Sequence, residues 1–452
     1  MTQFASLFDL ARVIGAPLDG VPGDRQPGLV GQITTDSRDL EKDALFVALS
    51  GDRFDGHDFV AGAIAQGSLA AVVQRHRWES SPNLSSLPCL PVADTLVAYQ
   101  TLGQWWRRQQ GATVVAVTGS VGKTTTKELI AAALGTQGKV LKTQANYNNE
   151  IGVPKTLLQL QPDHRFAVIE MGMRGPGEIA LLARIANPDV AVITNVGTAH
   201  IGRLGSEQAI AAAKCELLTQ LSPQGIAILN HDNRRLMDTA QGVWSGRTLS
   251  FGLEGGDIRG DWLDDHTLVV QDIPLPLPLP GRHNALNFLA AIAVMTALDL
   301  DWSVLRQGLR VDLPTGRARQ ISLAEDIVLL DETYNAGFES MVAALQLLAQ
   351  TPGQRRIAVL GTMKELGDRS LDLHYRIGAT VKQLGIDRLL ILADAEEAEA
   401  LTQGCDGVES QAFADYPALV EALQATLRAG DRVLFKASRS VGLDRVVTAL
   451  TS

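Results

Sequence analysis

The residues most plainly suited to chemistry lie between positions 118 and 126, Thr-Gly-Ser-Val-Gly-Lys-Thr-Thr-Thr. They follow an apolar run, Thr113 to Thr118, and open a stretch of helical patterning, Thr124 to Leu134. Strand, glycine-rich turn and helix in that order aim backbone N–H groups at phosphate. Gly119, Ser120, Val121 and Gly122 would form the cradle. Lys123 would meet the outer phosphates, and Thr124, with Thr125 beside it, would bring a hydroxyl to Mg²⁺. The first glycine lies two residues closer to Gly-Lys than in the common Gly-x-x-x-x-Gly-Lys pattern. A plain glycine turn with an exposed lysine is the alternative, and the strand–loop–helix context disfavours it.

Parallel α/β sheets carry their chemistry outside the carboxyl ends of their strands. The run Phe166 to Ile169 ends in Glu170, and the run from Val190 ends at Asn195, with His200 just beyond. Glu170 and His200 can both ligate Mg²⁺ beside nucleotide phosphates. Each also has an ordinary reading, as a strand-end charge and as a loop histidine held by backbone. Lys214 lies four residues after Ile210 and three before Leu217, on the apolar stripe of a helical run, Ile210 to Leu221. Two readings are open for it. It snorkels to solvent, or it is buried, neutral and able to take up CO₂ as an anionic carbamate.

Elements must bring these groups together, and the chain is long enough to supply them. Its 452 residues exceed one ordinary core, so two or three domains are expected. With 46% hydrophobic and 20% charged residues it reads as globular, not disordered. A net charge of −10 gives no general attraction to nucleic acid or anionic membranes. Cys89, Cys215 and Cys405 have no metal-type spacing, which suits a reduced cytoplasmic protein. Phe4, Leu7, Phe8, Leu10 and Ile14 are spaced as an amphipathic helix interrupted by Asp9 and Arg12, unlike a signal peptide. No apolar run approaches the roughly 18 residues of a membrane span.

The expected fold class is α/β in three domains. Residues 1–95 carry short strands (Ala44 to Leu49, Leu69 to Val73), with Glu79 to Leu87 read as a loop near the boundary. Residues 96–316 alternate buried parallel strands with helices such as Gly177 to Ile185. Ile273 to Pro280, studded with proline, is expected at an edge or in an extended connection. Residues 317–452 repeat the alternation with strands at Ile327 to Asp331, Arg356 to Gly361, Arg388 to Leu392 and Val433 to Ala437, a Rossmann-like pattern. No Gly-x-Gly-x-x-Gly follows the first of these, so a dinucleotide is not indicated.

Further motifs run through the chain in a specific order. They are Thr35-Asp36-Ser37-Arg38, Gly51 to His57, the short phosphate loop, Asn146 to Pro154, Glu170-Met171-Gly172, Lys214-Cys215-Glu216, Gly281-Arg282-His283-Asn284 with Asn287, Asp331 to Ala336, Met363 to Gly367 and Lys436 to Arg439. This set resembles the Mur ligase family of peptidoglycan synthesis, most closely its branch that adds D-Ala-D-Ala to UDP-MurNAc-tripeptide. The resemblance implies an N-terminal UDP-sugar-binding domain, a central P-loop-type ATPase domain and a C-terminal Rossmann-like ligase domain. It implies ATP and Mg²⁺, with Thr124, Glu170, His200 and a carbamylated Lys214 at the metal. It also implies Lys123, Lys214, His200 and Glu170 as the catalytic set.

For nucleotide the resemblance implies His283, Asn284 and Asn287 on the adenine side, and Arg317, Asp331, Tyr334 and Asn335 closing from the C-terminal domain. For the UDP-linked peptide it implies Ser37, Arg38, Arg53, Asp55, Gly56, His57, Asn148 and Asn149. A monomer acting on small molecules in the cytoplasm is expected. Two departures stand out: Gly337-Phe338 where relatives usually carry Asn-Pro, and Gly361-Thr362-Met363 where they often carry Gly-Asp-Met. The Asp-Asn-Pro-Arg signature of the diaminopimelate-adding relatives is absent. Alternatives are a diaminopimelate-adding or folylpolyglutamate synthetase-like ligase, or, in another class, a P-loop nucleotide switch.

Overall fold

Alternate residues of the strand Thr113–Thr118 are buried on opposite faces: Val114 and Ala116 pack into one apolar cluster, Val115 and Val117 into another. A strand covered on both sides belongs in the middle of a layered α/β sheet. The computed structural model describes residues 4–51 and 54–451, and among them the strands form three sheets.

The first sheet is β1 (Gln32–Thr34), β2 (Ala44–Val47), β3 (Ala70–Gln74) and β4 (Cys89–Val92), all parallel and in chain order. The second contains β5 (Thr113–Thr118), β6 (Val140–Lys142), β7 (Phe166–Glu170), β8 (Val190–Ile193), β9 (Ile226–Asn230), β10 (Arg247–Gly252), β11 (Ile258–Asp264), β12 (Thr267–Val270) and β13 (Ile273–Pro276). Its order is β13-β12-β11-β10-β9-β8-β5-β7-β6. The proline-rich β13 takes the edge and pairs antiparallel with β12, the position in which a missing N–H costs least. The third sheet has β14 (Arg319–Ser322), β15 (Val328–Asp331), β16 (Arg355–Gly361), β17 (Arg388–Leu392), β18 (Glu409–Ala412) and β19 (Asp431–Lys436), in the order β14-β15-β19-β16-β17-β18 with only β14 antiparallel.

In the second sheet the chain leaves β5 for β6, returns to β7, then crosses to β8 on the other side of β5. This is the switch point at which ligands bind in doubly wound sheets. The helices Lys123–Gly135 and Arg282–Ala297 cover one face there through Leu129, Ile130, Phe288 and Leu289.

One expectation fails locally. Glu79 to Leu87 is largely helical, Arg75–Ser80 followed by Pro82–Ser85, because Ser81 caps the second turn by accepting from Leu84 N and Pro82 occupies its first position. The three cysteines are buried and unpaired. No helix among the described residues is long and apolar enough to cross a membrane.

Candidate active site

The phosphate loop is held from β8. Ser120 N donates to Asn195 O at 3.0 Å and Val121 N to Asn195 Oδ1 at 2.9 Å. Asn195 Nδ2 and Thr194 Oγ1 return bonds to Val121 O at 3.0 and 2.7 Å. Gly122 adopts φ +80°, and a Cβ there would meet Asn287 Oδ1 at 2.7 Å, so two independent constraints require glycine. Asn287 accepts from Thr126 Oγ1 at 3.1 Å and donates to Asn284 Oδ1 at 3.2 Å, while Asn284 donates to Pro280 O at 2.7 Å. Both asparagines are thus committed to the wall behind the loop, and their amides already have partners there. Thr194 and Asn195 were missed as loop clamps. Only the strand order reveals that the end of β8 lies beside that of β5.

Lys123 lies within electrostatic reach of Glu170, His200 and Lys214, and His200 within reach of Lys214. Lys123 Nζ donates to Gly119 O at 2.7 Å and Ser120 O at 3.2 Å. Desolvation lowers its pKa, with the Glu170 carboxylate opposing and Arg317 reinforcing the shift. Lys214, on the helix Glu207–Thr219, is 1% exposed, so the snorkelling reading is excluded. Burial, then the charge of Lys123, pushes its pKa well below the usual lysine range. Its amine is therefore easily neutralised. Glu170 Oε1 accepts from Asn148 Nδ2 at 2.7 Å, while its Oε2 is buried without a hydrogen-bond partner among the described residues. An orphaned carboxylate oxygen is costly unless a cation uses it.

His200 sits in the left-handed region at φ 66° with Nδ1 2.5 Å from Glu365 Oε2. Burial lowers its pKa; Glu365 opposes, and Lys123 and Lys214 add to the lowering. The Glu365 contact is short without hydrogen-bond alignment, and a neutral ring offers one nitrogen lone pair to a metal. Among the described residues no three His, Cys, Asp or Glu side chains form a ready metal cluster. Mg²⁺ commonly takes one or two carboxylates and completes its shell with phosphates and water. The buried Thr124 hydroxyl and Glu170 Oε2 are suitable oxygen donors.

The third sheet faces this centre with a second group of charges. The Arg317 guanidinium lies 4.1 Å from the Tyr334 ring centroid, and Arg439 approaches the same ring at 5.8 Å. Arg317 Nε is buried without a hydrogen-bond partner among the described residues. Asp331, at the end of β15, accepts from Thr333 Oγ1 at 2.6 Å. Lys436, at the end of β19, donates to the backbone oxygen of Asn335 at 3.1 Å and lies 3.6 Å from Glu332. Burial lowers the Lys436 pKa against the pull of Glu332. Asn335 itself is exposed. Burial also lowers the pKa of His283, with Glu332, Lys436 and Asp265 as its charged neighbours. A cavity of about 250 Å³ runs between Gly281–His283 and the helix face carrying Ala343 and Leu347.

The expected substrate residues occupy the carboxyl edge of the first sheet and its border with the second. Ser37 is partly buried; Arg38 is exposed and grips Asp36 through two bonds of 2.8 and 2.7 Å, which with nearby Lys155 hold that carboxyl at about 2. His57 is buried: its Nδ1 is 2.6 Å from Asp55 Oδ1, and its Nε2 accepts from Gln74 N at 2.9 Å. With both ring nitrogens engaged, His57 shapes the edge instead of offering a free hydrogen bond. Burial raises the Asp55 pKa, but bonds from His57 and the charge of Arg77 outweigh it and set it at about 2. Gly56 lies against the backbone of Ala48 and Leu49. Asn149 Oδ1 accepts from Gly152 N at 2.9 Å, just ahead of the helix Gly152–Leu157, whereas Asn148 reaches Glu170. Arg53 lies outside the described residues.

A phosphate loop at the switch point of one α/β unit, faced by a cationic strand edge from another, defines a phosphate-loop enzyme of three α/β units. Residues 30–95 match the Mur ligase family catalytic domain, 117–295 the Mur ligase middle domain and 316–439 the Mur ligase glutamate ligase domain. A UDP-N-acetylmuramoyl-tripeptide–D-alanyl-D-alanine ligase of a Synechocystis strain is 54% identical over 450 residues, 100% of this chain and 98% of that one. A crystal structure of MurF from Acinetobacter baumannii superposes with a TM-score of 0.88 at 32% identity, covering 100% and 99% of the two chains. MurF ligase from Thermotoga maritima, in complex with ADP, gives 0.82 at 31% identity over 92% and 96%. The chain belongs to the Mur ligase family.

Proposed function

We propose that this chain is an ATP-dependent ligase that joins D-alanyl-D-alanine to UDP-N-acetylmuramoyl-tripeptide in the cytoplasmic synthesis of peptidoglycan precursors, acting as a monomer. The end-to-end match to a relative named for that activity carries the reading. The placement of Lys123 within electrostatic reach of Glu170 and of the buried Lys214 supports it chemically. The working division is 1–95 for the UDP-sugar, 96–316 for ATP and 317–452 for closure over both and the incoming amine.

The tripeptide carboxylate oxygen attacks the γ-phosphorus and ADP leaves, giving an acyl phosphate. The dipeptide amine then attacks the acyl carbon, loses a proton, and phosphate departs with the carboxylate's former oxygen. Lys123 and the loop amides hold the outer phosphates as anions converge. Mg²⁺, held by Thr124, Glu170 and His200, would neutralise phosphate charge. Neutral Lys214 adds to CO₂ through its Nζ, releasing a proton and leaving a carbamate, which would place an anion in the metal's surroundings. Arg317, Asp331, Tyr334 and Asn335 close on the nucleotide from one side. His283, with Asn284 and Asn287 behind it, bounds the other. Ser37, Arg38 and the Asp55–His57 corner form the UDP-sugar edge.

The test supplies ATP, UDP-MurNAc-tripeptide and one amine at a time. Product is expected with D-Ala-D-Ala and not with diaminopimelate or lysine. Product from a single amino acid would move the chain to another branch, with Gly337-Phe338 the first place to look. ATP turnover without either substrate would favour a nucleotide switch.

A further inference from the structure

Behind the catalytic groups, one carboxylate joins the third unit to the phosphate loop. Glu339 lies in the first turn of the helix Phe338–Gln350, next to the departure Gly337-Phe338. Its Oε1 accepts from Thr198 N at 2.6 Å and its Oε2 from Thr198 Oγ1 at 3.2 Å. Thr198 is buried in the loop that runs from Asn195 to His200. The preceding residue passes the contact on, since Gly197 N donates to Ser120 Oγ at 2.9 Å inside the phosphate loop. Nearby, the third unit also touches that loop through the His200–Glu365 pair and a bond from Gly202 N to Glu365 O at 3.2 Å.

We propose that Glu339 is a positioning residue for ligation. Its grip on Thr198 couples the seating of the C-terminal unit to the shape of the phosphate loop, by way of Gly197 and Ser120. The inference rests on the ligase reading above. Two physical points favour it. A carboxylate accepting from a backbone amide and a hydroxyl makes charge-assisted bonds, stronger than neutral ones, and the start of a helix favours negative charge. The fit is also close: a Cβ on Gly197 would meet Glu339 Oε1 at 2.5 Å, so that glycine leaves room for this carboxylate in particular.

The closeness supplies a second variant that dislodges the carboxylate without altering Glu339. Full-length wild type, Glu339→Ala, Glu339→Gln, Gly197→Ala and the Gly197→Ala/Glu339→Ala pair are compared. Glu339→Ala is expected to lower kcat by roughly tenfold, the scale of a lost charge-assisted bond, with the KM for the UDP-linked peptide and the melting temperature unchanged. Glu339→Gln, whose amide oxygen still accepts from Thr198 N but without charge assistance, is expected to fall between wild type and Glu339→Ala. Gly197→Ala resembles Glu339→Ala, and the pair is no slower than either single variant, because both remove one interaction. Amide hydrogen exchange, which needs no substrate, is expected to rise in Glu339→Ala both at 195–200 and at 119–123. Unchanged kcat and exchange, strictly additive effects, or a Gln variant as slow as Ala would overturn the proposal. If wild type fails to ligate, the ligase reading falls instead, and exchange confined to 195–200 would then overturn the coupling by itself.

Discussion

Lys123→Ala is expected to reduce kcat by about a thousandfold or more, the upper range for losing one preorganised electrostatic group. Lys123 is the cation at the helix start that follows the loop, and its pKa is lowered by burial yet supported by Glu170. Its removal leaves phosphate charge uncompensated as the tripeptide carboxylate approaches, when repulsion is greatest. The side chain also ties Gly119 O and Ser120 O together, so loop order must be separated from catalysis. Thermal melting with and without ADP makes that separation. The expected result is a folded variant with near-wild-type melting, lost turnover and weakened ADP stabilisation. Near-normal turnover in a folded variant would remove the phosphate-loop assignment.

A loss of similar size, about a hundredfold to a thousandfold, is expected for Lys214→Ala. An ammonium fully buried beside Lys123 is unfavourable, and a carbamate converts it into an anion suited to the same surroundings. Short carboxylic acids such as formate or acetate are expected to restore part of the rate in Lys214→Ala by filling the space with an anion. Lys214→Arg should not respond, since its permanent cation remains. A readout apart from activity is available. Wild type equilibrated with carbon-13-labelled bicarbonate should show a carbamate resonance that Lys214→Ala lacks. An active Lys214→Ala variant without the resonance difference would eliminate the carbamate.

What the sequence disclosed follows from how local each signal is. The apolar run before Gly119 and the helix pattern after Thr124 gave β5 and its helix to within a residue, because both periodicities are short-range. Lys214's position on an apolar stripe left snorkelling and burial both open, and only the packed structure decides for burial. Short strands such as β6 and β18 carry too few residues for a pattern, and β18 is mostly exposed. Contacts between distant segments were less legible. Nothing near Asn195 in the chain states that it clamps Val121, and nothing near Glu339 states that it meets Thr198. Those contacts arise from sheet order and from the docking of separate units. His57 and Asn287 show the converse: their motif positions suggested ligand contacts, while their polar side-chain atoms already have partners within the protein.

The central claim is that ATP activates the peptide as an acyl phosphate. It is tested most directly with UDP-MurNAc-tripeptide carrying oxygen-18 in the reacting carboxylate, incubated with ATP and D-Ala-D-Ala. Mass spectrometry of the released phosphate should find one labelled oxygen per turnover, scaled to the enrichment, with the other retained in the new amide carbonyl. Unlabelled phosphate alongside full amide formation would contradict the account, because the carboxylate oxygen would never have been bonded to phosphorus.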